Sequence, residues 1–141
     1  MPLLFTLLLG ILDYGLWFND SLSVRQGVRE SARGAVVQKP TPGCTGTGMA
    51  AVACGTRSRI LPAGGVAYAK VVAPNGWVRG EIVVICGMVK ATGLTGFVPL
   101  PADGLIKSKT TMLIENVTSV TTDTSHTDTP PAAGNWDWCT T

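Results

Sequence analysis

Charge is scarce in this 141-residue chain. Only 14% of its residues are Asp, Glu, Lys or Arg, against about 25% in an ordinary soluble domain. Mean hydropathy is +0.30, which excludes a chain disordered throughout, since disorder needs low hydrophobicity and high charge. There is a single histidine, His126. It sits among Thr and Asp with no cysteine at zinc-ligand spacing, and reads as a hydrated loop side chain. A Ser/His/Asp or Cys/His catalytic set cannot be assembled around it, and the few glutamates offer no catalytic pair. No CxxC and no P-loop lysine motif occur. Gly46-Thr47-Gly48-Met49-Ala50-Ala51 follows a Pro-rich stretch instead of a strand, so it is not a dinucleotide loop. Basic residues do not cluster either. The formal net charge is +2, shared evenly between the segments before and after residue 40, which gives a polyanion nothing to bind. These absences exclude a nucleic-acid partner. They leave no catalytic, metal-binding or cofactor-binding residues to name and no small-molecule substrate, so no enzyme is expected.

What the chain has is a long apolar opening. Residues 2–18 read PLLFTLLLGILDYGLWF, with Asp13 the sole charge. At about 17 residues this run is at the short limit for a bilayer-spanning helix. A signal peptide would want a basic stretch before it and a small-residue cleavage site after it, and Trp17-Phe18-Asn19-Asp20 is a poor site. A retained membrane helix is therefore expected. The positive-inside rule would place Arg25, Arg29 and Arg33, and all that follows, in the cytoplasm. The cysteines argue for the other side, and basic residues upstream of Met1 would reconcile the two. Asp13 has two readings: a carboxylate facing a basic group on a neighbouring subunit, or one hydrated near the interface.

The helix is expected to continue beyond the bilayer. Leu22, Val24, Val28, Ala32, Ala35 and Val36 share one face at helical spacing. Arg25, Arg29 and Arg33 form a second stripe, and Pro40 and Pro42 end the pattern. One helix over residues 2–38 would be roughly 55 Å long. Asn19-Asp20-Ser21 is an N-cap sequence, so two shorter helices are the alternative.

After residue 40 the composition changes. Cys44, Cys54, Cys86 and Cys139 make an even set in a small chain, which points to two disulfides and an oxidising compartment. Three pairings are open; a local Cys44–Cys54 bridge is feasible. Met49 to Cys54 suits one or two helical turns with Gly55 as C-cap. Strands are expected at 66–72 and 77–86, joined through Pro74-Asn75-Gly76, a strong hairpin signal, and again at 105–115. The Thr-rich tail is expected to add an edge strand and then a loop. Trp136-Asp137-Trp138-Cys139 would pin the terminus to the domain. The fold class is α+β: a membrane and amphipathic helix over residues 1–39, then an exported, disulfide-containing antiparallel sheet domain over 40–141.

The N-terminal arrangement resembles the TadE-like family of pseudopilins, minor pilin components of tight-adherence pilus systems. The resemblance rests on Pro2-Leu3-Leu4, Gly10-Ile11-Leu12-Asp13-Tyr14-Gly15, Val24-Arg25-Gln26, Val28-Arg29-Glu30 and Ser31-Ala32-Arg33, about a quarter of the chain. Ser108 to Glu115 is a weaker likeness to the end of the family's sheet. The family's prepilin-peptidase site would lie upstream of Pro2, so it maps onto no residue here. The resemblance implies a pilin-like fold in a single-pass bacterial membrane protein with its C-terminal domain exported. It also implies action by subunit packing in pilus initiation or assembly, with the membrane, other pilin or pseudopilin subunits and the assembly machinery as partners. Leu8, Gly10, Ile11, Asp13 and Gly15 are the residues expected to make helix–helix contact. The alternative is a small membrane-anchored or secreted binding domain unrelated to pili.

Overall fold

A computed structural model describes residues 2–39, 41–45, 48–60, 62, 65–93, 95–96, 99–117 and 123–140. Pro2 opens a single helix, α1 (Pro2–Val36), of 35 residues. Proline suits that position, because the first helical amides have no intrahelical acceptor. No break occurs at Asn19-Asp20-Ser21. Asp20 turns inward and is buried instead of capping a second helix. The helix ends two residues earlier than expected. Gln38 enters the left-handed region (φ 54°), its amide bonds to the Ala35 carbonyl, and the Lys39 amide bonds to the Gly34 carbonyl. This double closure satisfies the last carbonyls of the helix.

The second helix, α2 (Gly48–Arg59), is twice the length expected, and Gly55 lies inside it rather than capping it. The reason is close packing. A Cβ on Gly55 would stand 2.8 Å from Thr41 Oγ1, and the Cys44–Cys54 disulfide (Cα–Cα 5.8 Å) holds the 41–45 segment against that helix.

Four strands form one antiparallel sheet: β1 (Ala67–Val72), β2 (Ile82–Lys90), β3 (Leu105–Leu113) and β4 (Ser125–Thr127), in the order β3-β2-β1-β4. The expected hairpin exists, with Val72 opposite Val84, but its second strand starts five residues later than expected. Gly76 (φ 76°) ends one turn and Gly80 (φ 85°) forms another, which drives Trp77 into the core. The tail supplies β4, and His126 pairs there with Val71 instead of lying in a loop. Gly46, Thr47 and the middle of the Thr-rich tail (118–122) lie outside the described residues.

Helices cover one face of the sheet. α1 crosses β2 and β3, and α2 packs on β1 and β4. Val83, Ile85 and Val89 of β2 meet Val24, Val28, Ala32 and Ile60 in this layer. Val84, Cys86 and Met88 point the other way, under Trp136 and Cys139 of the C-terminal segment. The Cys86–Cys139 disulfide (Cα–Cα 6.1 Å) fastens that segment down, and the Trp136 indole donates to the Asp128 carbonyl. Being sandwiched explains why β2 is buried without a break from Val83 to Val89, as an apolar run with no exposed face requires.

Candidate functional site

The site is α1 itself, which presents two unlike faces. Its inward stripe is Asp13, Trp17, Asp20, Val24, Gly27 and Ser31, at alternating steps of four and three residues. All are buried except Trp17, which is half-buried against the core. The lower part of this stripe is held by polar and close backbone contacts. Thr56 donates its hydroxyl proton to the Val52 carbonyl. The 2.6 Å Ser31–Thr56 hydroxyl pair must then have Ser31 as donor, since each hydroxyl carries one proton. A Cβ on Gly27 would lie 2.8 Å from the Arg59 carbonyl oxygen, so only glycine lets the end of α2 approach α1 this closely.

The upper part of the stripe carries Asp13. Its side chain is 1% exposed. The loop after β2 comes back to cover it: the Thr95 amide donates to Oδ1 at 3.2 Å, the Thr95 hydroxyl donates to Oδ2, and Gly93 packs beside the carboxylate. A residue of the same chain therefore occupies this carboxylate, a third arrangement beside the two read from sequence.

The outward stripe is Leu4, Leu8, Ile11, Gly15, Phe18 and Leu22, and every one of these residues is exposed. Leu22 departs from the expectation that it shares the buried face of Val24 and Val28; it is 44% exposed. Leu8, Ile11 and Gly15 lie roughly 170° around the helix from the buried stripe at 100° per residue. Gly10 is half-buried, nearer the domain side. A Cβ on Gly15 would meet nothing within 4 Å among the described residues. Arg25, Arg29 and Arg33 are exposed on the lower half.

Exposure of this kind needs a partner. An apolar surface of Leu3, Leu4, Phe5, Leu7, Leu8, Ile11, Leu12, Leu16 and Phe18 is far larger than the scattered apolar residues of ordinary soluble surfaces. The helix is long and apolar enough to cross a membrane, and 6% of its most apolar window is buried inside the protein. Among the described residues no group of three His, Cys, Asp or Glu side chains is placed to hold a metal ion.

Residues 1–33 match the TadE-like protein family. No curated protein and no solved structure matches the chain. The TadE-like segment spans nearly all of α1 and includes both stripes. It contains all five residues expected to make helix contacts. Three of these, Leu8, Ile11 and Gly15, face outward, while Asp13 faces the chain's own domain. The inward role of Asp13 was not legible beforehand, because its partner lies 82 residues away.

Proposed function

We propose that this chain is a minor pilin-like component of a tight-adherence pilus assembly system, anchored by α1 in the bacterial membrane with its sheet domain exported. It acts by subunit packing in pilus initiation or assembly. One observation carries the reading: a TadE-like helix is covered by its own domain along one stripe and free along the opposite, apolar stripe. A helix so divided suits lipid first and other helices later. Gly15 supports this use. Glycine inside a helix costs about 1 kcal/mol relative to alanine, and nothing among the described residues requires its small size. A second helix approaching closely would require it. The two disulfides support export to an oxidising compartment.

The test is site-specific photo-cross-linking in cells, with a benzophenone amino acid at Leu8 or Ile11 and, as control, at exposed Glu30. Adducts to other pilin-like subunits at Leu8 and Ile11, absent at Glu30, are expected. A stably expressed protein giving no protein adduct at either apolar position overturns the packing role and favours a membrane-anchored binding module unrelated to pili.

A further inference from the structure

The outward stripe of α1 does not end at Leu22. At about 100° per residue, Arg25, Arg29 and Arg33 fall within about 40° of Ile11 around the axis, and all three are exposed. Leu4, Leu8, Ile11, Gly15, Phe18, Leu22, Arg25, Arg29 and Arg33 thus form one seam at steps of three and four residues. The seam is apolar over residues 4–22 and cationic over 25–33.

Nothing within the chain accounts for three arginines on this line. Among the described residues none of them is in an ion pair, and Glu30 stands to one side of the seam. Like charges four residues apart on a helix repel mildly, so the stripe is a small cost to α1. The helix dipole rewards a cation only in the last turn, which holds Arg33 alone. Membrane topology does not ask for them either. With the sheet domain exported, positive charge just beyond the spanning segment lies on the side that the positive-inside rule disfavours.

The spacing of the stripe decides between lipid and protein. The headgroup region on each side of a bilayer is about 5–8 Å deep. Arg25, Arg29 and Arg33 follow Phe18, the last residue of the apolar run, by roughly 11, 17 and 23 Å along the axis. Most of the stripe therefore stands beyond the reach of lipid phosphates. A second copy of this chain, parallel and in register, would set arginine against arginine, and like charges facing each other suppress association. A different helix, apolar beside residues 4–22 and carrying carboxylates beside 25–33, satisfies both halves of the seam. Arginine suits that role, because its planar fork binds a carboxylate through two hydrogen bonds.

We infer that Arg25, Arg29 and Arg33 are a partner-selecting surface for the helix of a different pilin-like subunit, packed parallel to α1 and bearing Asp or Glu at their level. This rests on the packing reading above and adds to it which helix is accepted. Apolar contact joins the two helices in lipid, and the charges beyond the bilayer choose the partner and set its register.

The experiment is benzophenone cross-linking of the full chain in cells, from Ile11 for yield and from Leu22 to map the segment that faces Arg25. Both positions are expected to give adducts with one pilin-like subunit other than this chain, and the Leu22 adduct to lie just before Asp or Glu residues of that subunit. Arg25→Glu/Arg29→Glu/Arg33→Glu should lower the Ile11 adduct about tenfold, since it turns attraction into repulsion. Arg25→Lys/Arg29→Lys/Arg33→Lys keeps the charge and should retain most of the yield. Should the triple Glu variant lose its disulfides or its membrane fractionation, Arg29→Glu alone is read instead, with about a threefold loss expected. An unchanged Ile11 yield in a glutamate variant that keeps both overturns the selecting role and leaves subunit packing intact. Adducts only with another copy of this chain, or only with phospholipid at Leu22, also overturn it. A stable protein with no protein adduct at Ile11 overturns the packing reading itself.

Discussion

Val28 of α1 lies directly over Gly87 of β2: a Cβ on Gly87 would come 2.5 Å from Val28 Cγ2 and 2.7 Å from Ile60 Cδ1. Helix and central strand are thus as close as side-chain packing permits, at the middle of the core. Gly87→Ala overpacks this point with two branched side chains that have nowhere to go. A loss of about 1–3 kcal/mol is expected in urea unfolding of the detergent-solubilised protein. A variant as stable as the parent would show that α1 is not seated on β2 in this way.

Gly15 is the counter-case. Gly15→Ala meets no neighbour among the described residues and improves helix propensity by up to about 1 kcal/mol. Stability and membrane fractionation are expected to hold or rise, while the yield of inter-subunit cross-links from Ile11 falls. Unaltered cross-linking would deny Gly15 a part in helix approach.

Asp128 ties three parts of the domain together. Its carboxylate accepts from Arg57 at 2.6 Å and from the Ala69 amide at 2.9 Å, while its backbone carbonyl accepts from Trp136. Asp128→Ala leaves the Ala69 amide without its acceptor, and a loss of about 1–3 kcal/mol is expected. Arg57→Ala should cost less, within about 1 kcal/mol, because Arg57 is 40% exposed. Thermal unfolding of the two variants side by side checks the order. The reverse ranking would mean that the ion pair, not the amide bond, holds the edge.

The two disulfides differ in span, 53 residues for Cys86–Cys139 and 10 for Cys44–Cys54. Chain-entropy arguments give about 4 kcal/mol for the longer and about 2.7 kcal/mol for the shorter. Cys139→Ser in a Cys86→Ser background should therefore destabilise more than the Cys44→Ser/Cys54→Ser pair. It should also raise hydrogen exchange at Val84 and Met88, beneath the C-terminal segment. Non-reducing peptide mapping of the parent should return these two pairings and no other.

The long helix, the antiparallel sheet and the pinned terminus were readable because each is written locally: an apolar run without internal proline, Asn75-Gly76 between apolar stretches, and two Trp beside a Cys. What was not readable depended on distant partners. Asp20 looked like a cap because its burial is imposed by the domain folding back on α1. Gly55 looked like a helix end because the Thr41 contact that demands glycine comes from outside the helix. The start of β2 was placed too early because Asn75-Gly76 announces one turn, while the second depends on the Gly80 amide reaching the Ile114 carbonyl. Of the candidate site, the apolar stripe was legible. Which of its residues face outward was not, since that is decided by where Thr95 and Ser31 find their bonds.

The last carbonyl of α1 has a bearing on mechanics. Val36 accepts from the amides of both Glu115 and Asn116, so the helix is clamped at its lower end by the chain leaving β3 and at Asp13 by Thr95. These clamps are roughly 35 Å apart along the axis. A tug on the sheet domain is therefore not a torque about a single hinge. It is divided between two anchorages and reaches the helix as shear, so the head and its stalk bear tension as one stiff strut.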